Sequence, residues 1–377
     1  MQEFLLDKKD EMLTLLEKLV NIDSGSYEKE GVDLVGSILK EKYEELGFIV
    51  DVKEEKEYGN NLVIQHKDAK DAQIILVAHM DTVFPKGTVS ERPFTIEGNR
   101  AYGPGVVDMK ASQVELLYAI KALIDSGSKA YENVQIILNS DEEVGSPTSR
   151  PLIEKHSIGK KYALVMEPAR KDGSLVTARR GGGRYRLIVK GKSAHSGIEP
   201  EKGRSAIEEL AHKIIQLHGL TDYEKGISVN VGLIEGGTSV NTVSANAVAH
   251  VDIRISEMDQ KEYLERKILE ICSTTEIPGT KILIEGDISR PPMENNKKTQ
   301  SLLHVIQAVG KEIGLDVHDT STGGGGDASF TSATGVATVD GLGPVGGNAH
   351  SEKEYLEIDT LPERTLLLAK TIERLSK

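Results

Sequence analysis

The chain has 377 residues, a formal net charge of −13 from 46 basic and 59 acidic side chains, a single cysteine and no tryptophan. That length exceeds what one hydrophobic core usually serves, which predicts two domains, and the acidic balance excludes the basic footprint that nucleic acid or an anionic membrane requires of a partner. Cys272 alone excludes an internal disulfide, and with no signal-like or membrane-length apolar segment the expectation is a cytoplasmic protein.

In chain order, an amphipathic helix over about residues 3–20 and a second over about 30–46 lead to strands near 48–55, 61–66 and 73–80. A helix at 111–126, a strand at 134–139, a helix at about 148–156 and a strand at 162–167 continue the alternation expected of an α/β sheet. The pattern changes after Gly181, Gly182 and Gly183. A strand at 184–190, a helix near 203–220, strands at 227–237 and 247–255, a helix at 259–273 and a strand at 280–287 follow. This β-α-β-β-α-β order is that of a ferredoxin-like unit, and Pro291 and Pro292 are expected to end it because neither extends a central strand. The first style then resumes with a helix at 298–313, glycine-rich turns, a short strand near 336–340 and a closing helix at 360–376. The expected architecture is a mixed, mostly parallel α/β sheet covered by helices and built from residues 1–179 and 291–377, with a ferredoxin-like α+β domain inserted over 180–290.

Chemistry-bearing residues follow the apolar runs. His79 and Asp81 close IILVAHMD, Asp108 follows YGPGVV, Glu142 and Glu143 follow VQIILNSD, Glu167 closes YALVME and His350 ends GLGPVGGNAH. An open α/β sheet collects its functional groups beyond the carboxyl ends of its strands, so residues scattered in sequence are expected to converge. Two histidines and several carboxylates in one crevice suit a pair of divalent cations and point to hydrolysis. Taken singly, each has a plainer role: a histidine after a strand is usually structural, SDEEVGS reads as a solvated acidic loop, and Asp108 before a helix reads as an N-cap. Taken together they divide the work. Asp81, two residues beyond His79 on one strand face, is expected to accept the free ring N–H of His79 and fix its tautomer. Adjacent Glu142 and Glu143 face opposite ways, one suited to binding metal and one to general base catalysis, and Asp108 can bridge two cations with its two oxygens. The run Gly323 to Gly326 lacks a following GK[ST] and a preceding strand, so close approach of a ligand to bare backbone is a better reading than a phosphate cradle.

The segments HMDTVFP, YGPGVVDMK, SDEEVGS, MEPAR, SAHSG, STGGGGDAS and AHSEKEY, in this order and spacing, resemble the metallopeptidase family of carboxypeptidase G, acetylornithine deacetylase, succinyl-diaminopimelate desuccinylase and aminoacylase. The similarity spans nearly the whole chain. It implies that one metal takes His79, Asp108 and Glu167, that the other takes Asp108, Glu143 and His350, and that Glu142 is the general base, with Asp81 orienting His79. It also implies a cis peptide between Asp108 and Met109. The domain at 180–290 becomes a lid through which two copies form a homodimer, with His195 polarising the scissile carbonyl at the partner's metal site. Asn241 and Arg254 match lid positions that contact substrate; Arg290 is a competing carboxylate anchor, and Gly325 belongs to the ligand-approach loop. Two divalent metal ions are expected, zinc first, with cobalt or manganese equally compatible with imidazole and carboxylate. The glutamate at 167, the STGGGGDA loop and SAHSG are most similar to the glutamate-releasing carboxypeptidases. The expected activity is hydrolysis of the amide next to a free amino acid carboxylate in a small peptide or N-acyl amino acid. The alternatives are an aminopeptidase or tripeptidase of the family and a non-catalytic binding relative on the same fold.

Overall fold

Apolar runs without alternation become buried parallel strands because both faces of such a sheet are covered. In the computed structural model, which describes residues 1–377, the runs Ile74–His79 and Val134–Asn139 are buried at every position. They are central in a six-stranded sheet of order Phe48–Lys53, Asn61–His66, Val134–Asn139, Ile74–His79, Tyr162–Val165 and Ala337–Val339. The first two junctions are antiparallel and the other three parallel, giving the mixed α/β sheet expected. The helix Ala111–Asp125 is buried along most of its length and packs against the closing helix Thr360–Leu375.

The chain divides into two units, one of Met1–Ala178, Asn295–Thr322 and Gly326–Lys377, the other of Arg179–Glu294 with Gly323–Gly325. In the second unit, the order Gly181–Lys190, Ala206–His218, Ser228–Gly236, Asn246–Ile255, Asp259–Ser273 and Lys281–Arg290 is strand, helix, two strands, helix, strand. Its four strands form one antiparallel sheet with Ser228–Gly236 and Lys281–Arg290 at the edges. Leu187, Val189, Leu210, Val251, Ile253 and Leu264 build a core of its own. Cys272 packs partly buried against that core, and burial pushes its thiol up to about 11. The unit runs past Pro292 because Arg179 and Met293 exchange main-chain hydrogen bonds of 3.0 Å in both directions.

Three features differ from the sequence expectation. The first helix breaks at Lys8 (φ −88°, ψ 2°) into Gln2–Asp7 and Lys9–Val20, although no residue there interrupts the helical pattern. A five-stranded sheet joins Thr95–Glu97, Arg100–Tyr102, Tyr355–Glu357, Gly343–Gly347 and Pro168–Ala169, segments too short or too rich in glycine and proline to carry a strand pattern. A strand, Asp319–Thr322, does precede the glycine run and pairs with Leu175–Arg179; its polar DTST sequence hides it. No helix is long and apolar enough to cross a membrane.

Between the two long helices lies a carboxyl group whose charged form burial does not suit. Glu115 is fully buried, neither carboxylate oxygen has a hydrogen-bond partner, and its pKa is raised well above the carboxylate range by desolvation, which Arg364 only partly opposes. Arg364 itself donates to the carbonyls of Gly341, Gly343 and Gly173 at 2.8, 3.2 and 3.2 Å. A carboxyl raised on folding binds its proton more tightly in the native chain, so stability is fullest below the unfolded pKa and falls as pH rises through the window above it. Glu115→Gln removes that loss. The melting temperature of the variant minus that of wild type should therefore grow from roughly pH 5 to pH 8, and parallel curves over that range would show that folding does not raise the pKa of Glu115.

Candidate metal centre

The parallel strands deliver their residues at one end of the first unit's sheet. His79 is the last residue of Ile74–His79, its amide donates to Met109 Sδ at 3.1 Å, and Gln113 Nε2 donates to its carbonyl at 2.6 Å. Glu167 follows Tyr162–Val165 by two residues, and Glu142 and Glu143 open the short helical turn Glu142–Val144 after Val134–Asn139. Asp108 lies in the turn Val106–Lys110, entered through Gly105 at φ 71°, and the Asp108–Met109 peptide is cis. The helix that follows is preceded by Lys110 and has no side-chain cap, so Asp108 is not an N-cap. His350 sits at φ 63° and Asn348 at φ 57°. Such left-handed conformations of residues other than glycine cost of order 1–3 kcal/mol each and cluster at functional sites.

The two oxygens of Asp108 look in different directions. Oδ1 lies 3.2 Å from His79 Nε2, which is also 3.9 Å from Glu167 Oε1. Oδ2 lies 3.3 Å from His350 Nε2, which is 3.1 Å from Glu143 Oε2. Each oxygen thus faces a different imidazole, and each imidazole a second carboxylate. Ligand atoms about 2.1 Å from a tetrahedral cation stand about 3.4 Å apart, and these distances lie near that value; around His79 the ligand atoms lie within 4.8 Å of one another in two trios, His79 with Asp108 and Glu143 and His79 with Glu142 and Glu167. A second observation fits as well: Glu143 Oε1 is buried without a hydrogen-bond partner, in need of a positive neighbour.

The proton affinities of the cluster follow from crowded like charge. Burial pushes Glu167 well above the carboxylate range, with the Asp108 charge adding to it. Burial also raises Glu143, against the hydrogen bond to His350. Hydrogen bonds to Asp108 and Glu143 lift His350 to about 11, and those from Asp108 and Asp81 outweigh burial at His79 and raise it too. Asp108, although burial disfavours its charge, is held below the carboxylate range by the two imidazoles. A field that draws protons this strongly to nitrogen draws divalent cations for the same reason.

Asp81 does more than the sequence suggests. The strand ends at His79, so the chain turns before Asp81, and its main-chain carbonyl, at 2.9 Å, is nearer to His79 Nδ1 than its carboxylate Oδ1 at 3.4 Å. The buried carboxylate instead accepts the amides of Glu142 and Glu143 at 3.2 and 3.1 Å and the Ser26 hydroxyl at 2.6 Å. It fixes the turn that carries both glutamates. On this helical turn, rather than a strand, Glu142 lies within 4.8 Å of His79 and Glu167, while Glu143 lies 3.1 Å from His350 and also within 4.8 Å of His79 and Asp108.

Two supporting acids were not singled out by sequence. Glu354 accepts main-chain N–H groups of the Asp108 turn, and Asp327 accepts from Asn139 and Ser146 beneath the Glu142 turn. Both lie inside AHSEKEY and STGGGGDAS, where an extra acid next to stronger candidates reads as solvated. A further trio, His66, Asp68 and Glu132, also lies within reach of one ion, but His66 Nδ1 already accepts the Asp68 amide at 3.2 Å.

The remaining candidates belong to the second unit. His195 and Asn241 come together there: Ser196 N donates to the Asn241 carbonyl at 3.0 Å, Val243 N to Ala194 at 2.9 Å, and Gly197 N to His195 Nδ1 at 3.1 Å. Arg254 is engaged by Asp252 through bonds of 2.9 and 3.1 Å. Arg290 lies against Gly325, where a Cβ would stand 2.8 Å from Arg290 Cδ, so any larger residue there would displace this arginine side chain. Arg179 holds the same loop through the carbonyls of Gly324 and Gly325 at 3.2 and 2.9 Å.

Sheet, cluster and charge define a metal-dependent hydrolase of the peptidase or amidohydrolase kind. The chain belongs to the peptidase family M20/M25/M40, whose model matches residues 75–374. It is 30% identical over 372 residues to carboxypeptidase G2 of Pseudomonas sp. (strain RS-16), covering 97% of this chain and 89% of that one. Its fold is that of the aminopeptidase PepT from Bacillus cereus, with a TM-score of 0.82 at 23% identity over 98% of this chain and 99% of that chain. It is also that of the YXEP protein of Bacillus subtilis, a dinuclear metal binding peptidase of the M20 family, with a TM-score of 0.70 at 14% identity over 98% of both chains.

Proposed function

We propose that this protein is a two-cation carboxypeptidase or N-acyl amino acid hydrolase, cleaving the amide next to a free amino acid carboxylate in a small peptide or acylated amino acid. The observation that carries the reading is the Asp108 carboxylate, with one oxygen in each of two imidazole–carboxylate groups. His79, Asp108 and Glu167 would hold one ion and Asp108, Glu143 and His350 the other; zinc suits these donors, as do cobalt and manganese. The ions, when bound, polarise the scissile carbonyl and lower the pKa of water.

Glu142 is the proton carrier of this reading. As the oxygen of water adds to the carbonyl carbon, one of its protons moves to the Glu142 carboxylate. The C–N bond then breaks while that proton passes to the leaving nitrogen, which leaves an acid and a free amine. Asp81 keeps Glu142 in place through its amide. His195 steadies the developing oxyanion and Asn241, from the adjoining loop, contacts substrate. Arg254 and Arg290 are the two candidate anchors for the substrate carboxylate, to which the planar fork of an arginine is matched. The 30% likeness to a carboxypeptidase favours this direction of cleavage.

The reading includes a cytoplasmic homodimer formed through the second unit. Its edge strand Ser228–Gly236 exposes Leu233 and Ile234, and helix Ala206–His218 exposes Ile207 and Ile215. An apolar edge of this kind invites pairing with a copy of itself. His195 then serves the partner's cation pair.

Three outcomes are expected. Glu142→Gln should retain two ions per chain by metal analysis yet lose at least about a thousandfold in kcat, whereas near-normal turnover would remove Glu142 from the chemistry. Amidating the substrate carboxylate should cost on the order of 2–5 kcal/mol in kcat/KM, and equal cleavage of acid and amide would favour an aminopeptidase or tripeptidase. Inactive Glu142→Gln and His195→Ala chains, unfolded, mixed equally and refolded, should recover about a quarter of wild-type activity, since half the dimers then hold one intact site. Activity that stays at the parental level in a sample containing mixed dimers would mean that His195 serves its own chain.

A further inference from the structure

Glu354 is 1% exposed and lies four residues beyond His350. Its carboxylate receives three main-chain donors from one turn: Gly105 N at 3.2 Å on Oε2, and Val107 N and Asp108 N at 2.9 and 3.1 Å on Oε1. Two segments far apart in sequence, one carrying Asp108 and the other His350, therefore meet at this carboxylate. Both are otherwise constrained. Gly105 is left-handed at φ 71°, and a Cβ there would stand 2.4 Å from Thr82 Cγ2, while Glu354 leads directly into Tyr355–Glu357, which pairs with Arg100–Tyr102 and Gly343–Gly347. Between them, the Glu354 carboxylate takes up the Gly105, Val107 and Asp108 N–H groups from outside that turn.

We propose that Glu354 is a positioning residue that sets the distance between the two candidate cation sites by holding the Asp108 turn against the segment that carries His350. The inference rests on the metal reading above. A carboxylate is the side chain that fits, because both of its oxygens accept. An amide in its place turns one acceptor into a donor, which then faces a backbone N–H, and the turn must shift to relieve it. Asp108 Oδ1 and Oδ2 would move together relative to His79 and His350, so both sites are affected by one substitution that touches neither ion.

The test uses the full chain loaded with cobalt, whose visible spectrum reports ligand geometry. Glu354→Gln is compared with wild type and with Glu352→Gln, an exposed neighbour. Titration against a chelator should show affinity at both sites falling about 10–100-fold in Glu354→Gln, as is usual when the partner that orients a ligand is lost. The cobalt spectrum should change, and kcat at saturating metal should fall with little change in KM. Glu352→Gln should match wild type in every readout. Should Glu354→Gln not fold, Glu354→Asp decides, since it keeps both acceptors but shortens their reach: weakened affinity with an altered spectrum supports the proposal. Affinities and spectrum equal to wild type in either folded variant overturn it. A wild-type chain that takes up no cobalt would sink the metal reading and this inference with it, whereas two ions in wild type and an unchanged variant would sink this inference alone.

Discussion

Placing several carboxylates in one buried cluster is costly because their charges repel in a medium that screens poorly. Here the repulsion is resolved by Asp108, whose carboxylate stays ionised between two imidazoles while Glu167 and Glu143 are pushed toward protonation. The rest of the catalytic unit serves this arrangement. A strand sets the His79 imidazole against one oxygen and within 3.9 Å of Glu167, and a left-handed loop sets the His350 imidazole against the other and within 3.1 Å of Glu143.

The supports around Asp108 share a logic. Carboxylates that do not face the cluster are used as acceptors for backbone amides, as Asp81 is for the Glu142–Glu143 turn. Backbone donors are fixed dipoles and bring no net charge, so a buried carboxylate can be satisfied by them without adding cations that would compete with metal. Lys110, the one buried amine close by, fits the same pattern. Burial pushes it down to about 7, and its Nζ donates to the Ile22 carbonyl at 2.8 Å.

Much of the sheet could be read from sequence because buried strands announce themselves as continuous apolar runs, as in QIILVAH and VQIILN. The convergence of residues 79, 108, 143, 167 and 350 was legible for a related reason: each follows such a run or a glycine turn. What the sequence does not show was set by where the backbone turns and pairs, which no side-chain pattern records. Nothing in HMD tells that the strand stops at His79, so the exchange of carbonyl for carboxylate at Nδ1 could not be foreseen. The small sheet around Tyr355–Glu357 depends on pairing among three-residue segments, too short for any period to show. Arg254 matched a substrate-contacting position, yet two residues away Asp252, on the same face of one strand, engages its fork.

The order of the ligands along the chain gives the two halves of the cluster different histories. His79, Asp108 and Glu167 all precede residue 178, so a ribosome has released every donor of that group before the second unit begins. The other group waits for His350, and the Asp108 turn waits equally for Glu354. A nascent chain therefore holds every donor of one half long before the turn that carries their shared carboxylate can be fixed, and the late segment from His350 to Glu354 supplies both the last imidazole and the acceptor of that turn.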